Sequence, residues 1–232
     1  MFFRFKQFEV KHDQSAMKVG TDALLLGAFV RAEKPIKCLD IGAGCGVISL
    51  MLAQRYPSLN IDAIELDNAS AMECASNFNA APWADRLTSI EGDFRCFQPN
   101  KEYDLIVSNP PFYTNGLLPV GSRIASAKHN ESLPFEAFFQ RVAMLLSQEG
   151  VCWIVFSAED VEFVEKQAQL HRLFVSEKSW IHGKPGKCNR CILAFKKVQT
   201  TTIEREFTVR NKDGQYTKEY KEITKDFHFN KL

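Results

Sequence analysis

From residue 37 to residue 197 the chain alternates short apolar runs with longer stretches of helical period, and this alternation limits the available folds more than any other feature. Strand-like runs fall at 37–42, 60–66, 86–91, 103–108 and 151–157. Helix-like segments lie between or after them at 47–56, 69–79, 135–146 and 158–171, and Pro57 closes the first. Strands that take turns with helices build βαβ units, so the spacing predicts a doubly wound parallel sheet covered on both faces. Two further runs, 174–181 and 190–197, are joined through Gly183-Lys184-Pro185-Gly186. That connection is too short for a crossover helix, so the pair must be an antiparallel hairpin. The expected architecture is a seven-stranded, mostly parallel sheet with a C-terminal antiparallel hairpin. One helix is predicted before the first strand, over 21–31, with Thr21 as its cap and Gly20 breaking the chain ahead of it. The chain thus divides into an N-terminal segment (1–36), a sheet domain (37–199) and a polar, basic and aromatic extension (200–232) with a turn at Asn211-Lys212-Asp213-Gly214.

At 232 residues the chain can bury a full core without disulfides. The seven cysteines are scattered, which suits reduced thiols in a cytoplasmic protein. No stretch resembles a signal peptide, and the longest apolar run, 23–30, is too short for a bilayer, so no membrane role is expected. The net charge of +1 hides an uneven distribution: +2 over residues 1–18, −7 over 19–183 and +6 over 184–232. An acidic body with basic ends suggests a polyanion held by the ends, against the plainer reading that the charges keep the tails soluble.

The first chemical motif is Asp40-Ile41-Gly42-Ala43-Gly44-Cys45-Gly46, which leaves a strand and opens a helix. Ligands of open α/β sheets bind at the carboxyl ends of the strands, where this loop must lie. A dinucleotide loop wants G-x-G-x-x-G/A, and here the sixth position is Val47. Without that third close approach a pyrophosphate fits poorly. S-adenosylmethionine carries no phosphate, and Asp40 suits its positively charged amino-acid end. Glu65, at the end of the next strand, is placed to accept from ribose hydroxyls. The alternative is a tight turn with no ligand.

The second motif is Asn109-Pro110-Pro111-Phe112, after the strand 103–108. An aromatic amine is a poor nucleophile because its lone pair is delocalised into the ring. The Asn109 side-chain carbonyl and the Pro110 backbone carbonyl can both accept its N–H protons, which turns the lone pair toward an electrophile. Pro110 and Pro111 stiffen the loop and offer no competing N–H, and Phe112, with Tyr113 beside it, can stack on a flat ring. Asp93-Phe94, after the third strand, is placed to meet a cofactor's adenine, Asp93 accepting from its amino group and Phe94 covering its face.

In this order the motifs resemble those of class I methyltransferases acting on planar amino groups, a Rossmann-like fold. Among these the chain is most similar to the bacterial tRNA1(Val) adenine-N6 methyltransferases. The similarity extends to Phe8-Glu9-Val10-Lys11-His12-Asp13, to Met17-Lys18-Val19-Gly20-Thr21-Asp22-Ala23-Leu24-Leu25-Leu26-Gly27, and to Tyr216-Thr217-Lys218-Glu219-Tyr220-Lys221 through Phe227. The resemblance implies S-adenosylmethionine as cofactor, with Lys18 and Thr21 around its methionine end. It implies the anticodon loop of a tRNA as partner, adenine 37 as target, and no obligate protein partner. Guanine-amino and glutamine methyltransferases share Asn-Pro-Pro-aromatic. Glutamine methylation usually needs a helical N-terminal domain, for which 36 residues leave no room. A non-catalytic RNA-binding module would have no need of the Asn109 and Pro110 carbonyls.

Weaker features point less far. Cys188 and Cys191 near His182 lack a second ligand pair, so no metal is expected. Residues 127–130 read as a solvated loop, with RNA phosphate the lesser alternative. Phe207, Tyr216, Tyr220, Phe227 and Phe229 alternate with lysines, which suits unstacked bases and packing on the core alike, since one face can pack while the other binds.

Overall fold

The computed structural model describes residues 1–15, 17–110 and 134–228. A small antiparallel hairpin, β1 (Phe2–Arg4) and β2 (Glu9–Lys11), precedes α1 (Thr21–Phe29). Then follow β3 (Lys37–Ile41), α2 (Val47–Arg55), β4 (Asn60–Glu65), α3 (Asn68–Ala80), β5 (Leu87–Glu91) and β6 (Tyr103–Ser108). The chain continues with α4 (Phe135–Leu145), β7 (Leu146–Ser157), α5 (Val161–Leu170), β8 (Phe174–Lys184), β9 (Lys187–Lys196), β10 (Ile203–Thr208) and α6 (Lys218–Thr224).

The main sheet runs β10-β8-β9-β7-β6-β3-β4-β5. Among the described strands of this sheet only β9 is antiparallel to its neighbours. All seven expected strands are present, but the sheet has eight. The extra one, β10, pairs in parallel with β8 and lies in the stretch read as a polar extension. An edge strand needs one well-packed position rather than a full alternating face. Here Phe207 is buried while Ile203, Glu204 and Glu206 are exposed, so the sequence carries too little period-two signal to find it.

Central strands alternate between two cores. Leu105, Val107, Val151, Trp153 and Val155 face one side, where α1, α2 and α3 pack with Tyr220 and Phe227 of the C-terminal region. Ile106, Cys152, Ile154, Phe156, Leu193 and Phe195 face the other, under Phe138 and Val142 of α4 and Val164 of α5. Burial on both faces is why these strands read as nearly continuous apolar runs.

Helix α1 is buried along Ala23, Leu24, Leu25, Leu26, Gly27, Ala28 and Phe29, so it has no polar face. Its cap is Gly20. Thr21 is the first helical residue and makes no side-chain cap bond, contrary to the capping role expected for it. The C-terminal end is closed by Arg55 of α2, whose Nη1 donates to the carbonyls of Gly27 and Val30 at 3.0 and 2.7 Å.

The C-terminal aromatics pack inward. Phe207 meets Phe29 edge-on at 4.9 Å, and Tyr216 stacks on Tyr220 at 4.4 Å. Arg55 lies over Phe227 at 5.2 Å. The described residues of this set pack on the core, as one of the two compatible readings expects; Phe229 lies outside the described residues. No described helix is long and apolar enough to cross a membrane.

Candidate active site

Strand order reverses at β3, with β4 on one side of it and β6 on the other. Loops leaving such a switch point diverge and open a crevice at the carboxyl edge of the sheet. Ile41 and Ser108, the last residues of β3 and β6, are register partners, and Ser108 Oγ donates to the Ile41 carbonyl at 2.7 Å. The glycine loop and Asn109-Pro110 therefore leave the sheet side by side. Asn109 and Pro110 are half-buried, while Pro111, Phe112, Tyr113 and residues 127–130 lie outside the described residues.

The loop is pinned to the end of β4 and the residues just beyond it. Gly42 and Ala43 donate their N–H groups to the Ile64 carbonyl at 2.9 and 3.2 Å. Gly44 donates to Glu65 Oε2 at 2.8 Å, and the N–H of Asp67 to Glu65 Oε1 at 2.9 Å. Two backbone donors thus fix the Glu65 carboxylate against the loop, with lone pairs remaining for hydroxyl donors. Gly42 and Gly44 have φ of 69° and 54°, and a Cβ at either would meet nothing within 4 Å. The outer face of the loop is an open cradle.

Asp40 lies beneath this cradle with no exposure. Its Oδ2 accepts from Ser49 Oγ at 2.7 Å, and its buried Oδ1 has no partner among the described residues. Burial pushes its carboxyl up to about 7, against the lowering effect of the Ser49 hydrogen bonds. The folded chain then holds a proton that the unfolded chain releases near pH 4. The contribution of Asp40 to stability is full below pH 4 and lost as pH rises to about 7. Asp40→Asn keeps an acceptor for Ser49 and removes the titration. Urea melts are expected to show the stability gap between variant and wild type shifting in the variant's favour by about 4 kcal/mol from pH 4 to pH 8. A gap constant across that range would mean that Asp40 titrates as an ordinary carboxylate.

A cradle free of side chains, a Glu65 carboxylate with lone pairs to spare and an orphaned buried oxygen at Asp40 fit S-adenosylmethionine. Asp93 caps a short turn over Phe94–Cys96, accepting from the Arg95 N–H at 2.8 Å and gripping the Arg95 guanidinium through both oxygens. Those hydrogen bonds hold its carboxyl below the usual range. The ring of Phe94 is buried against Phe138 of α4 at 5.8 Å, which anchors the Asp93 turn to the core.

The N-terminal segment reaches the same loop through α3. Asn77 Nδ2 donates to the carbonyls of both Lys11 and Cys45 at 2.8 Å, and its Oδ1 accepts from the Lys11 N–H at 2.9 Å. Glu73 accepts from the N–H groups of Asp13, Gln14 and Ser15 and from the Ser15 hydroxyl, at 2.6–3.1 Å. Lys18 donates to the carbonyls of His12 and Asp13 at 2.6 and 2.8 Å, bracing the segment from within. Thr21 is exposed at the start of α1, and its neighbour Asp22 pairs with Arg190 of β9 at 2.8 Å. Glu73 and Asn77 were not singled out from the sequence. Their signal was present: three polar groups, Ser70, Glu73 and Asn77, share a helix face with Cys74 and Phe78.

Comparison with known proteins agrees with this geometry. The Methyltransferase small domain family matches residues 14–178. A tRNA1(Val) (adenine(37)-N6)-methyltransferase of Bacteroides thetaiotaomicron is 38% identical over 229 residues, covering 98% of this chain and 97% of that one. A protein of the same name from Flavobacterium johnsoniae is also 38% identical, over 97% of this chain and 98% of its own length. Among solved structures, an Agrobacterium tumefaciens protein designated by prediction an O-methyltransferase superposes with a TM-score of 0.69 at 15% identity, over 89% of this chain and 96% of its own. A TehB-like SAM-dependent methyltransferase of Corynebacterium glutamicum gives 0.52 at 17% identity, over 79% and 90%. These structural likenesses show the class I methyltransferase fold, and the full-length sequence matches show that the chain belongs to the family of tRNA1(Val) (adenine(37)-N6)-methyltransferases.

Proposed function

We propose that this chain methylates the exocyclic N6 amino group of adenine 37 in the anticodon loop of tRNA1(Val). The observation that carries the reading is the register of β3 with β6, which sets Asn109-Pro110 beside the glycine loop. An amine held by one comes next to a cofactor held by the other. Asp40, Gly42, Gly44, Glu65 and Asp93 would hold S-adenosylmethionine, with Lys18 and Thr21 on the N-terminal segment and Gly46 shaping the loop. When bound, the cofactor supplies a methyl group made electrophilic by its sulfonium.

The chain's own part is orientation. The Asn109 side-chain carbonyl and the Pro110 carbonyl accept hydrogen bonds from the two amino N–H groups, drawing nitrogen toward tetrahedral geometry as its lone pair leaves conjugation. Pro111 keeps the loop stiff and Phe112 supplies the stacking face. The bases of an anticodon loop are partly unstacked already, which lowers the cost of bringing one into the pocket. Catalysis of this kind needs neither a metal nor a protein partner in the site. The Asn-Pro-Pro-Phe arrangement is expected to work in the cytoplasm, where tRNA is found.

Methyl transfer from labelled S-adenosylmethionine to unmodified tRNA, followed by nucleoside analysis, tests the reading. Labelled N6-methyladenosine at one position of a valine tRNA is the expected product. Label in guanosine, or in a protein fraction alone, would keep fold and cofactor and overturn the substrate.

A further inference from the structure

The sheet edge that carries the site is electrostatically divided. Glu65, Asp67, Glu91 and Asp93 stand at or just beyond the carboxyl ends of β4 and β5. The opposite half of the same edge is basic. There β8 ends, β9 begins and β10 ends, because β8 and β10 run parallel to the central strands while β9 returns. Lys184 and Lys187 pair across the β8–β9 turn. Arg210 follows β10, its N–H donating to the Gly183 carbonyl at 3.2 Å, and Lys212 lies in the next turn. Lys184, Lys187 and Lys212 are exposed and carry no ion pair among the described residues. Of the nearby acids, Glu206 is closed on His182 and Asp22 on Arg190, whereas Glu159, just beyond the end of β7, is exposed. Asp213, beside Lys212, is exposed.

Strands spaced about 4.8 Å apart put β8 about 14 Å and β10 about 19 Å from the column that ends at Asn109. That is too far to touch the target base and suits the backbone of the stem next to it. We infer that Lys184, Lys187, Arg210 and Lys212 form the docking rim for the phosphate backbone of the RNA stem adjoining the methylated base. The acidic β4–β5 half repels the same backbone, so the edge fixes the direction from which the RNA lies over the site. This inference rests on the tRNA reading above. Arg210 also braces the fold, donating to the Gly214 carbonyl and lying over Tyr216 at 3.9 Å, so the lysines are the ones to test.

The test compares K184A/K187A/K212A with K37A/K196A/K197A. The second set lies at the opposite edge, where β3 begins and β9 ends. tRNA binding is followed across a salt series, with S-adenosylmethionine affinity and kcat at saturating tRNA measured in parallel. The rim variant is expected to bind at least about tenfold more weakly at physiological salt, with a log–log salt slope shallower by about 2–3. Its cofactor affinity and saturating kcat stay within about twofold of wild type, because phosphate contacts position the RNA without touching the reacting atoms. K184R/K187R/K212R is expected to keep the wild-type slope. A rim variant with an unchanged slope, or an opposite-edge variant that loses as much, overturns the docking rim. Wild-type protein that binds and methylates no tRNA overturns the underlying function instead, and the same measurements report that separately.

Discussion

Replacing Asn109 by alanine is expected to lower kcat on tRNA by about 10²–10³-fold, while affinities for tRNA and S-adenosylmethionine stay within about threefold of wild type. The loss corresponds to about 2.7–4 kcal/mol of transition-state stabilisation, the usual cost of deleting one preorganised polar group that meets developing charge. The asymmetry follows from timing. In the ground state the adenine amino group is planar and nearly neutral, and water or the Pro110 carbonyl can accept its protons. As nitrogen takes the methyl group it becomes cationic, and the carbonyl oxygens are worth most at that moment. A group whose contacts strengthen only during reaction lowers kcat and kcat/KM together. Asn109 is half-buried and follows Ser108, which is tied to the Ile41 carbonyl, so its truncation leaves β6 and the glycine loop in place. Asn109→Asp is the informative companion, because it keeps an acceptor of the same shape and adds a charge. Single-turnover rates in saturating tRNA separate the outcomes. If alanine instead weakens tRNA binding by more than tenfold at unchanged single-turnover rate, Asn109 is a docking residue and the amine is oriented by something else.

The parts of this molecule that could be read from sequence are those in which a local pattern reports directly on its surroundings. Strands buried on both faces give apolar runs, and β6 was bounded correctly because Tyr103 through Ser108 sit between polar neighbours. Glycines betray backbone conformation, and the loop before α2 has positive φ at all three of its glycines. What sequence did not reveal depends on tertiary partners. β10 is a strand because β8 offers it an open edge, while its own residues bury little more than Phe207. The N-terminal hairpin hides for the same reason, since three-residue strands carry almost no period. Thr21 looks like a cap by residue type, yet the chain starts the helix one residue earlier in phase and leaves Gly20 there. Glu73 and Asn77 hold the N-terminal segment against the glycine loop across more than 30 residues of sequence, and only the fold reveals that contact. Asp93 was read as an acceptor for a ligand, and its grip on Arg95 two residues along could not be ranked against that from composition.

Gly46→Ala is expected to destabilise the protein by about 2–5 kcal/mol, more than the same change at Gly44. Both glycines have positive φ, 81° and 54°, and forcing an L side chain into that region costs about 1–2 kcal/mol at either one. They differ in what a new Cβ would meet. At Gly46 it would stand 2.6 Å from Phe78 Cε1 and 2.8 Å from Cys74 Sγ. Both side chains belong to α3 and are buried in the core, so neither can swing into solvent, and overpacking adds about 1–3 kcal/mol. At Gly44 the new methyl meets nothing within 4 Å. Its penalty there is the backbone term alone, and the methyl projects into the cradle. The two variants should therefore separate stability from binding: Gly46→Ala melts early, whereas Gly44→Ala keeps most of its stability and loses affinity for S-adenosylhomocysteine. Urea melts and calorimetric titration with that probe read both quantities. A Gly46→Ala protein that melts with wild type would mean that α3 gives way and the loop is not locked to it. A Gly44→Ala protein that binds normally would mean that the ligand does not cross the open face of the loop. That second outcome would remove the main structural reason for placing the cofactor between Asp40 and Glu65, and the two substitutions together decide how much of the glycine loop serves folding and how much serves the ligand.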